Sequence, residues 1–585
     1  MIISQVKLKG FRNFKNETIN FNQKSLIMGA NDVGKSNLLH ALRILLDKSF
    51  SEVDIEPKDS DFYAYEETNE LSILIKFEEV KEECVISKMK GYISDNDILY
   101  LKYKATRDPE TNAKSYEFYA GHKENEMEEL RERFYRRFLH LKYISSNRDL
   151  FSYISREKKY LLQEAKEKRV ESEISQDNRK LNEIEGSLDQ VNNQVTNLSF
   201  IKKATTSINE ELEDLAFHHE NQQIIFDVGA SNVSHFVDNI KLSSKANGKS
   251  LTIGGDGRNN QIFLALWAAK NEIKESNPLE VVIYCIEEPE AHLHPHQQRK
   301  LARYLYNTLN GQVIITTHSP QITSEFSPNS IIRLYEDNLK TMAANKGCGR
   351  KINEAFEEFG HRMSIIPAEA FFADLVFLVE GKSEVIFYKT LAKELNIDLD
   401  RLNISILMVD GIGFKNYINI LNALNIEWLV RTDNDIFKIK NKNRYRFAGI
   451  KRALGIYDDF CKQDEVIESL KEKEIELINC FKTKNPPDES VESATRFIDQ
   501  LKKYEIFLAE TDLENDLLVS EIKDEIMDFL ETSDVTDALK KMQDKKATFM
   551  FDFLLRNSDC LSKLENNDIA KPLYCSKKII KGELK

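Results

Sequence analysis

Gly29-Ala30-Asn31-Asp32-Val33-Gly34-Lys35-Ser36 has the residue types and spacing of a phosphate-binding loop. Its glycines let backbone N–H groups close around phosphate oxygens, Lys35 can reach the β/γ-phosphates, and the Ser36 hydroxyl can ligate Mg²⁺. Gly29, Asn31, Gly34, Lys35, Ser36 and the following Asn37 are the candidate nucleotide ligands. Glu287 and Glu288, in IEEPE after the apolar run VVIYC, supply the second half of such a site. Glu287 stands on the Mg²⁺ side and Glu288 is placed to orient the attacking water. His318, in TTHSP, could hydrogen-bond the γ-phosphate. A second set of carboxylates lies far along the chain: Glu380 in FLVEGKSE, then Asp433 and Asp435 in RTDND. Hard oxygen donors suit Mg²⁺ or Mn²⁺. Two such ions could activate a water and stabilise the leaving oxygen in phosphodiester cleavage. Directly after this pair runs FKIKNKNRYRFAGIKR, without an acidic residue. There Lys438, Lys440, Lys442, Arg444 and Arg446 could contact DNA phosphates while Phe437, Tyr445 and Phe447 stack on bases. A solvated basic loop is the plainer alternative. His292, His294 and His296 form an HxHxH run, but they lie in a turn without nearby cysteines, which favours a structural role over zinc.

These residues need elements to bring them together. KSLIM (24–28) reads as a strand entering the phosphate loop, and NLLHALRILL as the apolar-periodic helix leaving it. With strand-like runs at 2–8, 71–77, 97–105 and 116–120 they predict one β-rich lobe with a helix laid against it. Between Pro109 and Pro278 there is no proline, and Leu181, Ile184, Leu188, Val191, Val195 and Leu198 step alternately by three and four residues. Ile201, Thr205, Ile208, Leu212 and Leu215 step likewise, giving two short heptad seams that fit either a hairpin on its own domain or a contact between subunits. From 251 to 335 strands and helices alternate, which implies a mainly parallel sheet. A second βαβαβ unit follows Pro367: LVFLVE, EVIFYKTLAKEL, ISILMVD, YINILNAL and IEWLVRTDND. Parallel strands gather ligands just beyond their carboxyl ends, so Glu380, Asp433 and Asp435 can converge although distant in sequence. The fold class is therefore α/β.

The whole chain sets limits on this chemistry. Its 585 residues admit about three to five domains. Lys plus Arg (82) against Asp plus Glu (96) leaves a net charge of −14, so any DNA contact must use a local basic patch. No run approaches the ~18 apolar residues of a membrane span. The N-terminus lacks the charged and apolar regions of a signal peptide, and seven cysteines without a CxxC pair argue against disulfides and a zinc ribbon. A cytoplasmic protein is the expectation.

KGFRNF, GANDVGKS, TIGGDGRNN, IEEPEAHLHP and TTHSP together resemble ABC-type ATPases of the RecF, structural-maintenance-of-chromosomes and OLD (overcoming lysogenization defect) group. VEGKSE followed by a βαβ unit and TDNDI resembles the Toprim domain of OLD nucleases. The joint layout is similar to the endonucleases of bacterial Gabija anti-phage systems. This resemblance implies ATP at the first site, closed by a glycine-rich signature at Gly255, Gly257 and Arg258 of another subunit. It implies a metal shell of Glu380, Glu384, Asp433, Asp435, Asp512 and Glu514, with Lys546 stabilising the charged transition state. An exposed acidic helix start remains the alternative for Glu510 and Asp516. It also implies a nicking endonuclease on double-stranded DNA, a homotetramer and a UvrD-like superfamily 1 helicase partner, GajB. The implied domains are an ATPase at 1–150 and 226–345, a helical dimerisation insertion at 151–225, a linker at 346–370, and a Toprim nuclease at 371–585 with a helical insertion at about 455–500. An ATP-driven DNA clamp or repair ATPase with an inactive Toprim module is the competing reading. No cysteine pairs support a primase, and there is no separate domain for a topoisomerase tyrosine.

Overall fold

The computed structural model describes residues 1–145, 158–159, 161–163, 165–215, 243–246, 249–252, 279–307, 309, 311–349, 368–409, 413–440 and 443–583. The chain divides into two compact units, 1–144 with 278–290 and 295–585, and 145–277 with 291–294. The signature residues Gly255, Gly257 and Arg258, and Lys442 of the basic run, lie outside the described residues.

Among the described residues the first unit contains three sheets of four or more strands and one two-stranded hairpin. Strands Ile2–Phe11, Phe14–Asn20, Glu70–Glu78, Leu99–Arg107, Lys114–Lys123 and Glu126–Leu130 form a six-stranded antiparallel sheet. Buried and half-exposed residues alternate along Leu99–Arg107, the mark of a sheet with one wet face. Lys24–Met28 departs from the expected single lobe. Four of its five residues are buried, so it needs cover on both faces and sits centrally in the second sheet. That sheet runs Lys340–Ala343, Ile331–Asp337, Lys24–Met28, Val313–Thr316, Val281–Glu287, Leu139–Ile144, with only its first pair antiparallel. Helix Lys35–Leu46 buries Leu38, Leu42 and Leu45 in the apolar core under both sheets. The third sheet is wholly parallel, in the order Ile404–Met408, Leu375–Val379, Glu427–Thr432, Ile506–Leu508. Leu375, Phe377 and Val379 pack into one apolar cluster and Val376 and Leu378 into another, so this sheet has a core on each face. Helices Ala448–Phe460, Glu465–Asn479 and Asp488–Leu501 cover most of 448–501.

In the second unit, Glu171–Thr196 and Ser199–Leu215 are the two helices that the heptad spacing predicts. In the first seam Ile184 is 38% exposed, Val191 47% and Leu198 44%, while Leu181, Leu188 and Val195 are half-buried. No helix among the described residues is long and apolar enough to cross a membrane.

Candidate active site

The third sheet delivers its carboxylates as the strand order predicts. Leu375–Val379, buried at all five positions, runs into Glu380 and Gly381 before helix Lys382–Glu394. Its parallel neighbour Glu427–Thr432 ends at Asp433, whose backbone N–H donates to Glu380 Oε1 at 3.0 Å. The Thr432 hydroxyl and the Arg452 guanidinium bond the same oxygen. Ile506–Leu508, paired to Glu427–Thr432, leads to Asp512. Asp512 caps helix Leu513–Leu518: its Oδ1 accepts from Asn515 N at 2.8 Å and its Oδ2 from Gln543 Nε2 at 2.6 Å. Lys546 opens helix Lys546–Asn557 and places Nζ 2.8 Å from Glu514 Oε2, 3.9 Å from Asp433 Oδ2 and 4.0 Å from Asp512 Oδ2. Carboxylates from two segments thus meet around one cationic atom.

Burial and charge shape this cluster. Burial, reinforced by Glu384 and Glu380 against the pull of Arg431, pushes the Asp433 carboxyl up to about 8. The Asp435 carboxyl is raised by burial and by Glu380 and Asp512, against the pull of Arg452 and Lys546. Burial works against the charge on Lys546, but Glu514, Asp433 and Asp512 overcome it and hold the ammonium above its ordinary range.

Among the described residues, no three His, Cys, Asp or Glu side chains are gathered as a ready metal cage. Arg452 pairs with Glu380, and Lys546 with Glu514. Two buried carboxylate oxygens, Asp433 Oδ1 and Glu514 Oε1, have no hydrogen-bond partner. Unsatisfied hard donors of this kind are what Mg²⁺ or Mn²⁺ coordinates, so the residues present fit such an ion.

Among the other candidates, Glu384 and Asp516 have partners of their own. Glu384 Oε2 reaches back to Gly381 N at 3.1 Å and Ser383 Oγ at 3.0 Å, closing the first turn of its helix. Asp516 pairs with buried Arg431 at 2.7 Å and Glu510 is exposed, so neither joins the cluster around Lys546. Exposed Lys438, Lys440 and Arg444 and half-buried Arg446 lie on or beside the hairpin Ile436–Lys438 with Tyr445–Phe447, which leaves directly from Asp435. Exposed His292, His294 and His296 belong to no metal-holding group among the described residues.

At the nucleotide site, Lys24–Met28 ends at Gly29, where a Cβ would overlap the Leu334 carbonyl oxygen. Lys35 Nζ donates to the loop's own carbonyls, Gly29 O at 3.0 Å and Ala30 O at 2.6 Å. Burial lowers its ammonium to about 8, against the opposing charges of Glu288, Asp32 and Glu287. Ser36 Oγ donates to Glu287 Oε1 at 2.5 Å, and the Tyr143 hydroxyl holds the other Glu287 oxygen. Glu288 Oε1 stands 3.5 Å from His318 Nε2. His318 is positioned from behind by Glu290, whose Oε1 accepts from His318 N and Thr317 Oγ1, each at 2.7 Å. Asn31, Lys35, Ser36, Glu288 and His318 line a cleft of about 360 Å³. Asn37 also borders this cleft, but its side chain is bonded to Arg12 Nη1 and Asn13 Oδ1, both at 2.9 Å, and so braces the loop.

Sequence reasoning missed several contributors. Arg452 belonged to the basic run, and nothing in its spacing showed that it turns inward onto Glu380. Gly449 gave no signal either, although a Cβ there would overlap the Asp433 backbone. Tyr143, Gln543 and Glu290 act from elements whose proximity only the fold creates.

Two family models match the chain, an AAA ATPase domain over residues 1–323 and an overcoming lysogenization defect protein-like TOPRIM domain over 371–435. Endonuclease GajA of Bacillus cereus (strain VD045) is 26% identical over 607 residues, covering 99% of each chain. The Old nuclease of Escherichia phage P2 is 32% identical over 195 residues, 31% of this chain and 33% of its own. The OLD nuclease of Thermus scotoductus (strain ATCC 700910 / SA-01) is 26% identical over 206 residues, 33% of this chain and 38% of its own. The phosphate loop, Glu287, Glu288 and His318 fall within the ATPase match, and Glu380, Asp433 and Asp435 within the TOPRIM match. The chain belongs to the AAA ATPase domain family and joins that domain to an OLD-like TOPRIM domain.

Proposed function

We propose that this protein is a nucleotide-sensing, divalent-metal-dependent DNA endonuclease that nicks double-stranded DNA. The observation that carries the reading is the meeting of Asp433, Asp512 and Glu514 around Lys546, with Glu380 bonded to the Asp433 backbone. The nuclease relatives support it. Glu380, Asp433, Asp435, Asp512 and Glu514 would hold Mg²⁺ or Mn²⁺, which supplies an activated water and neutralises phosphate charge. Lys546 sits where it can hold a phosphoryl oxygen as negative charge develops. Lys438, Lys440 and Arg444 carry the DNA backbone toward the cluster. In the ATPase domain, Lys35 and Ser36 would hold ATP phosphates and Mg²⁺, Glu288 would orient the attacking water and His318 would hydrogen-bond the γ-phosphate. The helical insertion as a dimerisation element, a homotetramer, a GajB-like helicase partner and an anti-phage role extend the same reading, resting on the likeness to Gabija endonucleases. Size-exclusion chromatography with light scattering, and co-purification with the helicase, test that extension.

A supercoiled-plasmid assay with Mg²⁺ or Mn²⁺ tests the central statement. Wild type is expected to nick, Glu380→Ala to lose cutting, and Lys35→Ala to cut without responding to ATP. Equal cutting by Glu380→Ala and wild type would overturn the assignment.

A further inference from the structure

The two sites are joined by a buried cation that belongs to neither. Arg333 lies on Ile331–Asp337, the strand beside the phosphate-loop strand, directly opposite Met28 in the parallel register. The next residue, Leu334, is the one whose carbonyl confines Gly29. The far side of the phosphate loop is tied to the same hairpin, because Thr341 Oγ1 donates to Val33 O at 2.8 Å and accepts from Asn13 Nδ2 at 2.6 Å. A change in the loop therefore bears on Arg333's strand at Leu334 and on its hairpin partner at Thr341.

The Arg333 side chain reaches into the TOPRIM domain. Nη1 donates to Leu424 O at 3.0 Å and Asn425 O at 2.9 Å, and Nη2 to Ala373 O at 2.9 Å. Those carbonyls mark the amino-terminal entries of the two strands that end in the nuclease carboxylates. Ala373 precedes Leu375–Val379, which ends at Glu380, and Asn425 precedes Glu427–Thr432, which ends at Asp433. The entries are themselves linked, Glu427 N donating to Asp374 O at 3.2 Å. The C-terminal carbonyls of a helix are a favourable seat for a cation, and Leu424 and Asn425 follow helix Phe414–Ala423. Asn345, on the ATPase side, adds a bond to Ala423 O at 2.6 Å.

Simple adhesion does not require this arrangement. Met28 and Ile331 already sit in the TOPRIM apolar cluster with Val376, Leu378 and Val430. Arg333 is 3% exposed, its nearest carboxylate, Asp374, stands 3.8 Å away, and its Nε has no hydrogen-bond partner. An apolar residue would fill the place without that desolvation. What only the guanidinium provides is a planar fork that fixes two strand entries in one geometry.

We propose that Arg333 is a positioning residue that transmits the state of the phosphate loop to Glu380 and Asp433 through the strands they terminate. It touches neither nucleotide nor DNA. This deepens the nucleotide-sensing reading and rests on it. The test is hydrogen–deuterium exchange of the full chain with and without a non-hydrolysable ATP analogue and Mg²⁺, on wild type, Arg333→Met and Arg333→Lys. In wild type the analogue is expected to change exchange by about fivefold or more in peptides over 29–37 and also over 373–380 and 424–435. Arg333→Met, similar in length and apolar, keeps the response at 29–37 and loses it in the two TOPRIM segments. Arg333→Lys, which can keep part of the carbonyl contacts, restores part of it. Plasmid nicking, run in parallel, loses its ATP dependence in Arg333→Met. A TOPRIM response that persists in Arg333→Met, or one absent from wild type, overturns the proposal. A wild type that never nicks overturns the endonuclease reading instead, and exchange still decides the role of Arg333.

Discussion

The two sites of this chain lie beyond the carboxyl ends of parallel sheets, yet they store their charge in opposite ways. At the phosphate loop the cation is paired with neutral groups: Lys35 rests on two carbonyls of its own loop. At the TOPRIM cluster the cations are paired with carboxylates, Lys546 with Glu514 and Arg452 with Glu380. A site for an anion needs a lysine that can leave its partners at small cost, and carbonyl oxygens release it more readily than a carboxylate does. A site for a metal dication needs several carboxylates close together, and their mutual repulsion has to be offset by protein cations placed among them. The pairing therefore distinguishes the ligand each site is built to take.

Breaking the carboxylate side should have the largest effect. Glu380→Ala or Asp433→Asn is expected to lower the nicking rate by on the order of 10³-fold, several kcal/mol of transition-state stabilisation. Single-turnover plasmid assays measure this, and rates near wild type would remove these residues from the chemistry. A second variant separates the cluster from its scaffold. Asp516→Ala leaves Arg431 charged and buried without its partner, so it should cost about 3 to 5 kcal/mol of folding stability. Thermal unfolding should show that loss. A stable Asp516→Ala protein with weakened metal binding would add Asp516 to the metal shell. On the anion side, Lys35→Ala removes one charged donor to phosphate, worth about 1.5 to 3 kcal/mol, or ~10- to 100-fold in ATP affinity. Titration calorimetry reads it, with nicking in the absence of nucleotide retained.

Two smaller effects sharpen the contrast. His40, on the helix that follows the phosphate loop, is packed beside Phe11 and Phe50. Burial, with help from Arg12, lowers its imidazole to about 4. Because the folded value lies below the unfolded one of about 6.5, its contribution is complete above that value and is lost as pH falls towards 4. The ATPase domain should lose roughly 1 to 3 kcal/mol over that window, and His40→Gln should flatten the decline in an acid-unfolding series. On the basic hairpin, Lys438→Ala and Lys440→Ala should each weaken DNA binding for every sequence alike and lower the salt slope by about 1. An unchanged slope would make the hairpin an ordinary solvated loop.

The contrast also explains what the sequence reveals and what it hides. The phosphate loop, IEEPE, VEGKSE and TDND are legible because strand, turn and ligand are contiguous, so local pattern fixes local geometry. The parallel strands that end in Glu380 and Asp433 follow from the same alternation, whereas Ile506–Leu508, which leads to Asp512, is added only by the fold. Arg452, Gln543 and Gly449 are hidden because their roles depend on helices packing across the sheet, which no spacing encodes. Lys24–Met28 lies next to antiparallel strands in sequence but in a different sheet, since burial on both faces outweighs adjacency. Asp512 and Asp516 stand four residues apart in one acidic run, and the position of Arg431 separates a cluster residue from a buried ion pair.

Mn²⁺ binding followed by electron paramagnetic resonance, without nucleotide and in a Lys35→Ala background that weakens the other site, tests the central assignment most directly. The account predicts bound Mn²⁺ in that protein and its loss when Glu380→Ala or Asp433→Asn is added. Mn²⁺ bound equally well by all three proteins would contradict it.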